Sequence, residues 1–139
     1  MQDFKKLSVW QKSHTLTLQV YSVTATFPKH EIFGLTSQMR RAAASIPANI
    51  AEGSCRGGSR EFARYLQVAV GSAGELEYHL LLAADLMFLK RDESKQLELQ
   101  VTEVKRMLTG LIRRVGMGGQ AVGRPGSQLK TENLGGFPL

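Results

Sequence analysis

A proline lies inside a stretch that otherwise has the composition of a buried helix, in the string SIPANIAEG at residues 45–53. Proline in a helix interior removes one backbone hydrogen bond and costs about 3 kcal/mol or more. The alanine-rich residues 34–44 precede the string, and CRGGS at 55–59 follows it. A chain that keeps proline there needs the kink and the polar groups that it places. We interpret this string as a structural signature.

Four residues make up that signature, and each has an expected task. Pro47 sets the kink. Asn49 lies on the inward side and either satisfies a carbonyl that Pro47 releases or sets the helix register. Glu52 is expected to pair with an arginine near the following turn, Arg56 being one option. Gly53 is suited to the C-terminal cap of the helix.

Spacing of the apolar residues predicts an all-α fold with four helices and no strand-like alternation. The predicted helices span about 4–26, about 35–52, from the N-cap Ser59 to about Leu89, and from the turn at 90–92 onward. Predicted helix 1 carries two apolar stripes: Leu7, His14, Leu18, Tyr21 and Ala25, and Val9, Leu16, Val20, Val23 and Phe27. The seam of helix 3 is nearly heptad: Phe62, Leu66, Ala69, Ala73, Leu76, Leu80, Ala83 and Met87. The seam of helix 4 is Leu97, Val101, Val104, Leu108, Leu111 and Val115. Four amphipathic helices with short links favour an up-down-up-down bundle.

Composition divides the chain near Gly116. Half of its 14 glycines fall within residues 116–139, where no apolar periodicity is present. We expect residues 1–115 to form the helical domain and residues 116–139 to be a disordered, glycine-rich tail.

A single cysteine, Cys55, excludes an internal disulfide, and no apolar segment is long enough to cross a bilayer. These features predict a cytoplasmic protein that does not contact the membrane.

Predicted helix 3 has a second apolar face, away from its heptad seam, formed by Gly71, Gly74, Tyr78, Leu81 and Phe88. A glycine costs up to about 1 kcal/mol relative to alanine in a helix interior, so two glycines indicate that another backbone comes close. An apolar stripe that one core cannot bury is typical of a protein–protein interface. This face therefore predicts a homo-oligomer, the alternative being that loops or the tail cover it.

Several motifs in a fixed order resemble one known family. They are Phe4, Leu7, Val9 and Trp10; Phe27-Pro28 with Glu31; GLTSQMRRAA at 34–43; SIPANIAEG at 45–53; Arg56; Phe62, Tyr65 and Leu66; VAVGSAGELE at 68–77; and MLTGLIRRV at 107–115. Over about residues 4–114, the chain is similar to the four-helix-bundle proteins of the 23S rRNA intervening-sequence family.

The resemblance implies a bundle that assembles into a homopentameric ring, and it implies no enzymatic activity. A related bundle is the accessory protein of diversity-generating retroelements, where a basic ring contacts nucleic acid and a reverse transcriptase. By analogy, the partners expected here are further copies of the chain, RNA or DNA, and a protein such as a reverse transcriptase.

Basic residues cluster where predicted helices 2 and 3 meet. Arg56 lies in the loop, and Arg60 and Arg64 follow at four-residue steps. Together with the N–H groups at the start of helix 3, they form a candidate phosphate site. The alternative is a solvated basic turn with Arg64 paired to Glu61.

Arg40 and Arg41 point about 100° apart on helix 2. They are weaker candidates for binding nucleic acid, and the favoured interpretation is that they pair with an acidic residue.

Enzymatic chemistry has little support in the sequence. A di-iron bundle needs Glu-x-x-His pairs, and none of the three histidines lies three residues after a glutamate. No partner can be assigned that would make Cys55 a nucleophile. We therefore expect no catalytic residue, metal or cofactor.

The chain has a net charge of +6, and the favoured hypothesis is that it is a non-enzymatic oligomer that binds RNA or DNA through phosphates. The alternative is a protein-interaction scaffold that does not bind nucleic acid.

Overall fold

A computed structural model describes residues 3–119, with side chains through Gly116, and it contains four α-helices. They are α1 (Ser8–Thr24), α2 (Leu35–Cys55), α3 (Ser59–Asp85) and α4 (Arg91–Gly119). Two short 3-10 helices, Phe4–Lys6 and Lys29–Glu31, precede α1 and α2. Residues 3–119 contain no strand, which confirms the predicted all-α class. No helix in this part of the chain is long and apolar enough to cross a membrane.

Consecutive helices run antiparallel, and hydrogen bonds between them set their relative heights. The Thr17 hydroxyl of α1 lies 3.0 Å from the carbonyl oxygen of Ala43 on α2. The hydroxyls of Ser45 on α2 and Ser72 on α3 are 2.8 Å apart. Lys105 of α4 donates to Glu77 of α3 over 2.7 Å. Helices α1 and α3 each pack against α2 and α4 but do not contact one another, so they occupy diagonal corners of a bundle.

One continuous core lies between the four helices. The predicted seam of α3 is buried from Phe62 to Ala83, and the predicted seam of α4 is buried from Leu97 to Leu111. Only one of the two stripes expected on α1 faces this core: Val9, Leu16, Val20 and Phe27 are buried, with Val23 partly so. The other stripe faces outward, with His14, Leu18, Tyr21 and Ala25 exposed. The core therefore leaves part of the apolar surface of α1 uncovered.

Pro47 lies within α2, and another helix binds the carbonyl that it frees. A residue with an N–H at position 47 would donate to the oxygen of Ala43, four residues earlier. The buried hydroxyl of Thr17 lies within hydrogen-bonding distance of that oxygen instead. Asn49 donates to the Ser45 carbonyl over 2.8 Å and to the Ser45 hydroxyl over 3.0 Å. Of the two tasks expected of Asn49, satisfying the freed carbonyl is therefore excluded, because its amide bonds to Ser45, and the Thr17 hydroxyl reaches that carbonyl instead.

Gly53 does not cap α2, contrary to the sequence-based expectation. The helix continues to Cys55, its C-cap is Arg56, and no glycine in the described residues has a positive φ. A Cβ on Gly53 would lie 2.7 Å from the Cβ of Tyr65 and 3.0 Å from Cδ1 of Phe62. Glycine is needed here because α2 and α3 approach each other more closely than a side chain allows.

Helix α3 ends earlier than expected, at Asp85 rather than near Leu89. The N–H of Phe88 donates to the carbonyl of Ala83, and the N–H of Met87 donates to that of Ala84. This pair of bonds is a Schellman motif, in which the residue at the Met87 position takes a positive φ, here 66°. Met87 is consequently 85% exposed and does not belong to the predicted core seam.

The start of α3 and the end of α4 also differ from the expected boundaries. The residue that precedes α3 is Gly58 in an extended conformation, and Ser59 is the first helical residue rather than the N-cap. The last helix, α4, continues to Gly119, past the expected domain boundary at residue 115. The remainder of the predicted tail, residues 120–139, lies outside the described part of the chain.

Candidate nucleic-acid interface

The turn between α2 and α3 presents an uncapped helix N-terminus. No side chain accepts a hydrogen bond from the first turn of α3, because Gly58 at the N-cap has no side chain to do so. A Cβ on Gly57 or Gly58 would meet no atom within 4 Å, so the backbone of the turn is open on the outside. Free N–H groups and the positive end of the helix dipole attract anions at such a terminus.

Arg56 is held at the end of α2 by two partners. Its guanidinium lies 2.8 Å from the carboxylate of Glu52 and donates to the Tyr65 hydroxyl over 2.9 Å. The pairing of Glu52 with Arg56 that the sequence suggested is therefore present. Hydrogen bonding to Glu52, followed by the electrostatic effect of Tyr65, raises the pKa of Arg56 above its ordinary value. Arg56 is thus oriented, but its charge is partly balanced.

Tyr65 is close to two guanidinium groups. Arg56 and Arg64 lie 5.2 Å and 4.8 Å from the centre of its ring, both within cation–π distance. Arg64 also pairs with Glu61 over 3.1 Å, as the alternative interpretation of the sequence expected. The role of Tyr65 was missed in the sequence, where nothing local indicates that a residue nine positions after Arg56 contacts it. Only the packing of α2 against α3 brings them together.

Arg60 differs from its two neighbours. It is exposed on the first turn of α3, and it forms no ion pair with any residue in the described part of the chain. Its position next to the uncapped N-terminus places a positive charge beside free N–H groups. Of the three clustered arginines, Arg60 is the one whose charge is least balanced by the protein itself.

Arg40 and Arg41 are not part of this cluster. Arg56 follows Arg41 by fifteen positions, a distance of about 22 Å along the helix. Arg40 is half-buried; it donates to the hydroxyl of Thr24 over 2.9 Å and lies 4.6 Å from the centre of the Tyr21 ring. It also borders an open cleft of about 330 Å³ near Pro28 and Ile32. Arg40 therefore joins α2 to the end of α1, while Arg41 is exposed.

The second apolar face of α3 is exposed over most of its expected length. Tyr78 is 58% exposed and Leu81 47%, and Val68 extends the face toward the N-terminus of α3. A Cβ on Gly71 or Gly74 would meet no atom within 4 Å, so packing within this chain does not require glycine at either position. Phe88 does not belong to this face. It follows the end of α3 and packs against Phe27, with ring centres 5.6 Å apart.

Groups that could hold a metal are not assembled in residues 3–119. This part of the chain contains no set of three histidine, cysteine, aspartate or glutamate residues placed to bind one ion. His14 stacks on Trp10 with ring centres 4.9 Å apart, and Cys55 is free and exposed.

Comparison with known proteins supports the fold and the family. No curated protein matches the sequence. The structure is similar to a crystal structure of a protein of unknown function from the S23 ribosomal protein family of Bacteroides thetaiotaomicron, with a TM-score of 0.70 and 24% sequence identity. The similarity covers 76% of this chain and 95% of that chain, and at this identity it shows the fold alone. The model of one family, described as 23S rRNA-intervening sequence protein, matches residues 5–110, so this chain belongs to that family, as its motifs predicted.

Proposed function

We propose that this protein is a non-enzymatic homo-oligomer that binds RNA or DNA through phosphate contacts at the turn between α2 and α3. The observation that carries the proposal is the uncapped N-terminus of α3 with Arg60 beside it, free of ion pairs within residues 3–119. A phosphate group placed there accepts hydrogen bonds from backbone N–H groups and from a guanidinium, two donors that suit it.

Arg56 and Arg64 are expected to join the contact. Both of their ion pairs are exposed, and exposed pairs contribute only about 0–1 kcal/mol. A guanidinium can therefore leave its carboxylate for a phosphate at small cost. The Tyr65 ring keeps both side chains near the turn, which lowers the entropy that they lose on binding.

In the proposed mode of binding, the protein recognises the charge of the phosphates and not the sequence of the bases. Both guanidinium groups lie within cation–π distance of the Tyr65 ring, so this aromatic side chain is already engaged by cations and we expect no base stacking on it. Phosphate contacts position a protein without selecting bases. We expect similar affinity for RNA and for DNA of the same length, with a steep loss of affinity as the salt concentration rises.

Assembly repeats the turn between α2 and α3 in every subunit, which multiplies weak contacts. The pentameric stoichiometry that the family resemblance implies remains a prediction.

Fluorescence anisotropy with labelled RNA and DNA tests this proposal. Each phosphate that the protein binds contributes about one unit to the slope of log affinity against log salt. Arg60→Ala should therefore reduce the slope by about one for each phosphate that the variant no longer binds, and Arg56, Arg60 and Arg64 changed together to alanine should abolish binding. Arg91→Ala is the matched control, because it removes the same charge from an exposed residue at the opposite end of the bundle. Binding that is absent at low salt, or that the triple variant retains, would reject the proposal.

An interaction scaffold is the second candidate function, and the exposed face of α3 favours it. In this alternative the basic charge only aids solubility, and helix surfaces are displayed to a protein partner, a reverse transcriptase being the candidate by family analogy. Co-purification from cells with and without nuclease separates the two functions. A partner retained after nuclease treatment supports the scaffold, and one released by the treatment supports nucleic-acid binding. A cytoplasmic location is part of both proposals.

A further inference from the structure

An open cleft of about 330 Å³ lies where the end of α1 meets the start of α2, at the end of the bundle opposite to the turn between α2 and α3. Its lining combines an apolar wall with two cationic side chains, and the residues are Ala25, Phe27, Pro28, Ile32, Lys29 and Arg40. No aspartate or glutamate lines the cleft. A cleft whose charges all have one sign attracts a group of the opposite charge, so this cleft suits an anion.

Arg40 is held in place but keeps part of its hydrogen-bonding capacity. Its Nε–H donates to the Thr24 hydroxyl over 2.9 Å, and Nη2 donates to the Tyr21 carbonyl over 3.3 Å. The guanidinium carbon also lies 4.6 Å from the centre of the Tyr21 ring, which fixes its orientation. A guanidinium carries five N–H groups. The donors that these contacts leave free are on Nη1 and Nη2.

No carboxylate balances the charge of Arg40 within residues 3–119. None of the ion pairs in this part of the chain includes Arg40. Glu31, the acid of the connection between α1 and α2, is used elsewhere. One of its oxygens accepts from the Leu35 N–H over 2.9 Å, and the other lies 3.9 Å from Nε2 of His30. A half-buried cation without an anionic partner is unfavourable, so a carboxylate that reaches Arg40 gains both charge pairing and hydrogen bonds.

Exposed apolar side chains continue from the cleft onto the connection between α1 and α2. Ile32 is 48% exposed, and Phe33 next to it is 92% exposed. The cleft wall itself is fixed, because the buried Phe27 packs against Phe88 with ring centres 5.6 Å apart. Aromatic and arginine side chains are enriched in the buried centres of protein interfaces, and a preformed surface loses little entropy on binding.

We infer that this end of the bundle binds a segment of another protein in which an aspartate or glutamate lies next to a large apolar residue. The carboxylate accepts hydrogen bonds from Nη1 and Nη2 of Arg40, and the apolar side chain packs in the cleft. Nucleic acid is the less suitable partner, because only two cations line the cleft and most of its wall is apolar. We call Arg40, Ile32, Phe33 and the cleft the Arg40 surface.

The Arg40 surface does not depend on the proposed phosphate contact. Arg56 follows Arg40 by sixteen positions, a distance of about 24 Å along the helix. Nucleic acid bound at the turn between α2 and α3 therefore leaves the Arg40 surface open, and one molecule can hold both partners. The inference goes beyond the proposed function, and either one can fail without the other.

A positional-scanning library of heptapeptides tests the Arg40 surface with the full-length protein. We expect the selected peptides to share an aspartate or glutamate beside leucine, isoleucine, phenylalanine or methionine. In fluorescence anisotropy with a selected peptide, Arg40→Gln should weaken binding by about tenfold or more, because charge-assisted hydrogen bonds are lost. Arg41→Gln is the matched control, since Arg41 is exposed and does not line the cleft.

Two further measurements separate binding from folding. Arg40 also joins α1 to α2, so circular dichroism checks that Arg40→Gln remains helical. Phe33→Ser changes a side chain that is almost fully exposed, and it should weaken peptide binding without loss of helix. Replacing the acid of the peptide by its amide should weaken binding to the wild-type protein by a similar factor but should have little effect on binding to Arg40→Gln.

The outcomes distinguish this inference from its competitors. A library that selects no acidic and apolar peptides overturns it, as does a preference for acid that Arg40→Gln retains. Peptide binding that survives when Arg56, Arg60 and Arg64 are all changed to alanine supports it, whereas loss of binding would place the peptide at the other end of the bundle. If Arg40→Gln weakens binding of labelled RNA but not of peptide, the surface contacts nucleic acid instead. If Phe33→Ser lowers the sedimenting mass, a second copy of the chain covers the surface.

Discussion

At the residue scale, Thr17 explains how α2 tolerates a proline. Pro47 leaves the carbonyl of Ala43 without its usual helical partner, and the Thr17 hydroxyl lies 3.0 Å from that oxygen. The same hydroxyl lies 2.8 Å from the carbonyl of Ser13, a carbonyl that the helix of Thr17 itself already satisfies. The proline and the threonine are therefore one device that joins α1 to α2 at a defined height.

Thr17→Val tests this device. The substitution keeps the shape of the side chain but leaves a buried carbonyl without a donor, so the free energy of unfolding should fall by about 1–3 kcal/mol. Urea denaturation measures the loss. In a Pro47→Ala background, residue 47 regains an N–H that can bond to Ala43, so Thr17→Val should cost less there. Equal costs in the two backgrounds would show that Thr17 does not act through this carbonyl.

At the element scale, the close approach of α2 and α3 determines where the clustered arginines lie. Gly53 has no side chain to separate the helices, so Tyr65 comes near the end of α2 and its hydroxyl reaches Arg56 and Glu52. The same Tyr65 ring is within reach of Arg64. The candidate phosphate site thus depends on a packing contact in its immediate neighbourhood.

Gly53→Ala should reduce stability by about 1–3 kcal/mol, because the added methyl group overlaps the Cβ of Tyr65 at 2.7 Å. Gly110→Ala is the control within α4, where the nearest atom is Nη1 of Arg114 at 3.9 Å. That substitution should raise stability by about 0.5–1 kcal/mol through helix propensity alone. Thermal unfolding compares the two variants, and a stabilised Gly53→Ala protein would contradict the close contact.

The end of α3 provides a second prediction at this scale. Met87 has a φ of 66°, a conformation that costs a residue with a Cβ about 1 kcal/mol or more. Met87→Gly removes that strain at an exposed position, so stability should rise by about 1 kcal/mol in chemical denaturation. Leu86→Gly is the matched control, because its φ of −83° gives glycine no advantage and its stability should fall. Equal losses in both variants would argue against the strained cap.

At the scale of the whole molecule, the arginine cluster and the exposed apolar side chains are separated. Arg56, Arg60 and Arg64 lie at one end, while exposed apolar side chains such as Leu18 and Tyr78 lie along the outer sides of α1 and α3. In the proposed homo-oligomer these apolar side chains would be covered by contacts between subunits. That arrangement would leave the proposed nucleic-acid surface free of the subunit contacts.

Gly71→Ala with Gly74→Ala should change stability and assembly in opposite directions. Each alanine favours the helix by up to about 1 kcal/mol, and no atom of the same chain lies within 4 Å of the added Cβ. The isolated subunit should therefore unfold at higher temperature, measured at a concentration below assembly. The methyl groups occupy space on the face of α3 that is expected to contact another subunit, so the dissociation constant from sedimentation should rise. Tighter assembly in the double variant would contradict close packing at these glycines.

Much of the fold could be predicted because it depends on local periodicity. Four helices and most of the α3 and α4 seams follow from the spacing of apolar residues, which each helix carries in its own sequence. Met87 was assigned wrongly because a hydrogen-bonded cap, and not the apolar pattern, ends α3. Gly53 was assigned wrongly because glycine serves equally well as a cap or as a contact point, and only the neighbouring helix decides between them.

The candidate site was predicted in part. Arg56, Arg60 and Arg64 are close in sequence, so their proximity needed no tertiary information. Tertiary information was needed to learn the partners of each arginine. Arg60 is unpaired within residues 3–119, while Arg56 and Arg64 both contact Tyr65 and each have a glutamate partner. Arg40 was grouped with them as a basic side chain, but its bond to Thr24 places it on a different surface.

The sequence by itself determined the helical class, the approximate positions of the helices and the presence of more apolar surface than one core buries. These properties depend on the types and spacing of residues within each helix, so they are the same wherever the helix lies in the fold. The tertiary structure alone decided that Thr17 lies next to the carbonyl freed by Pro47, that Tyr65 contacts two arginines and that the exposed apolar residues of α1 and α3 lie on opposite sides of the bundle. Each of these depends on distances between residues far apart in the chain, which only the packing of the helices sets.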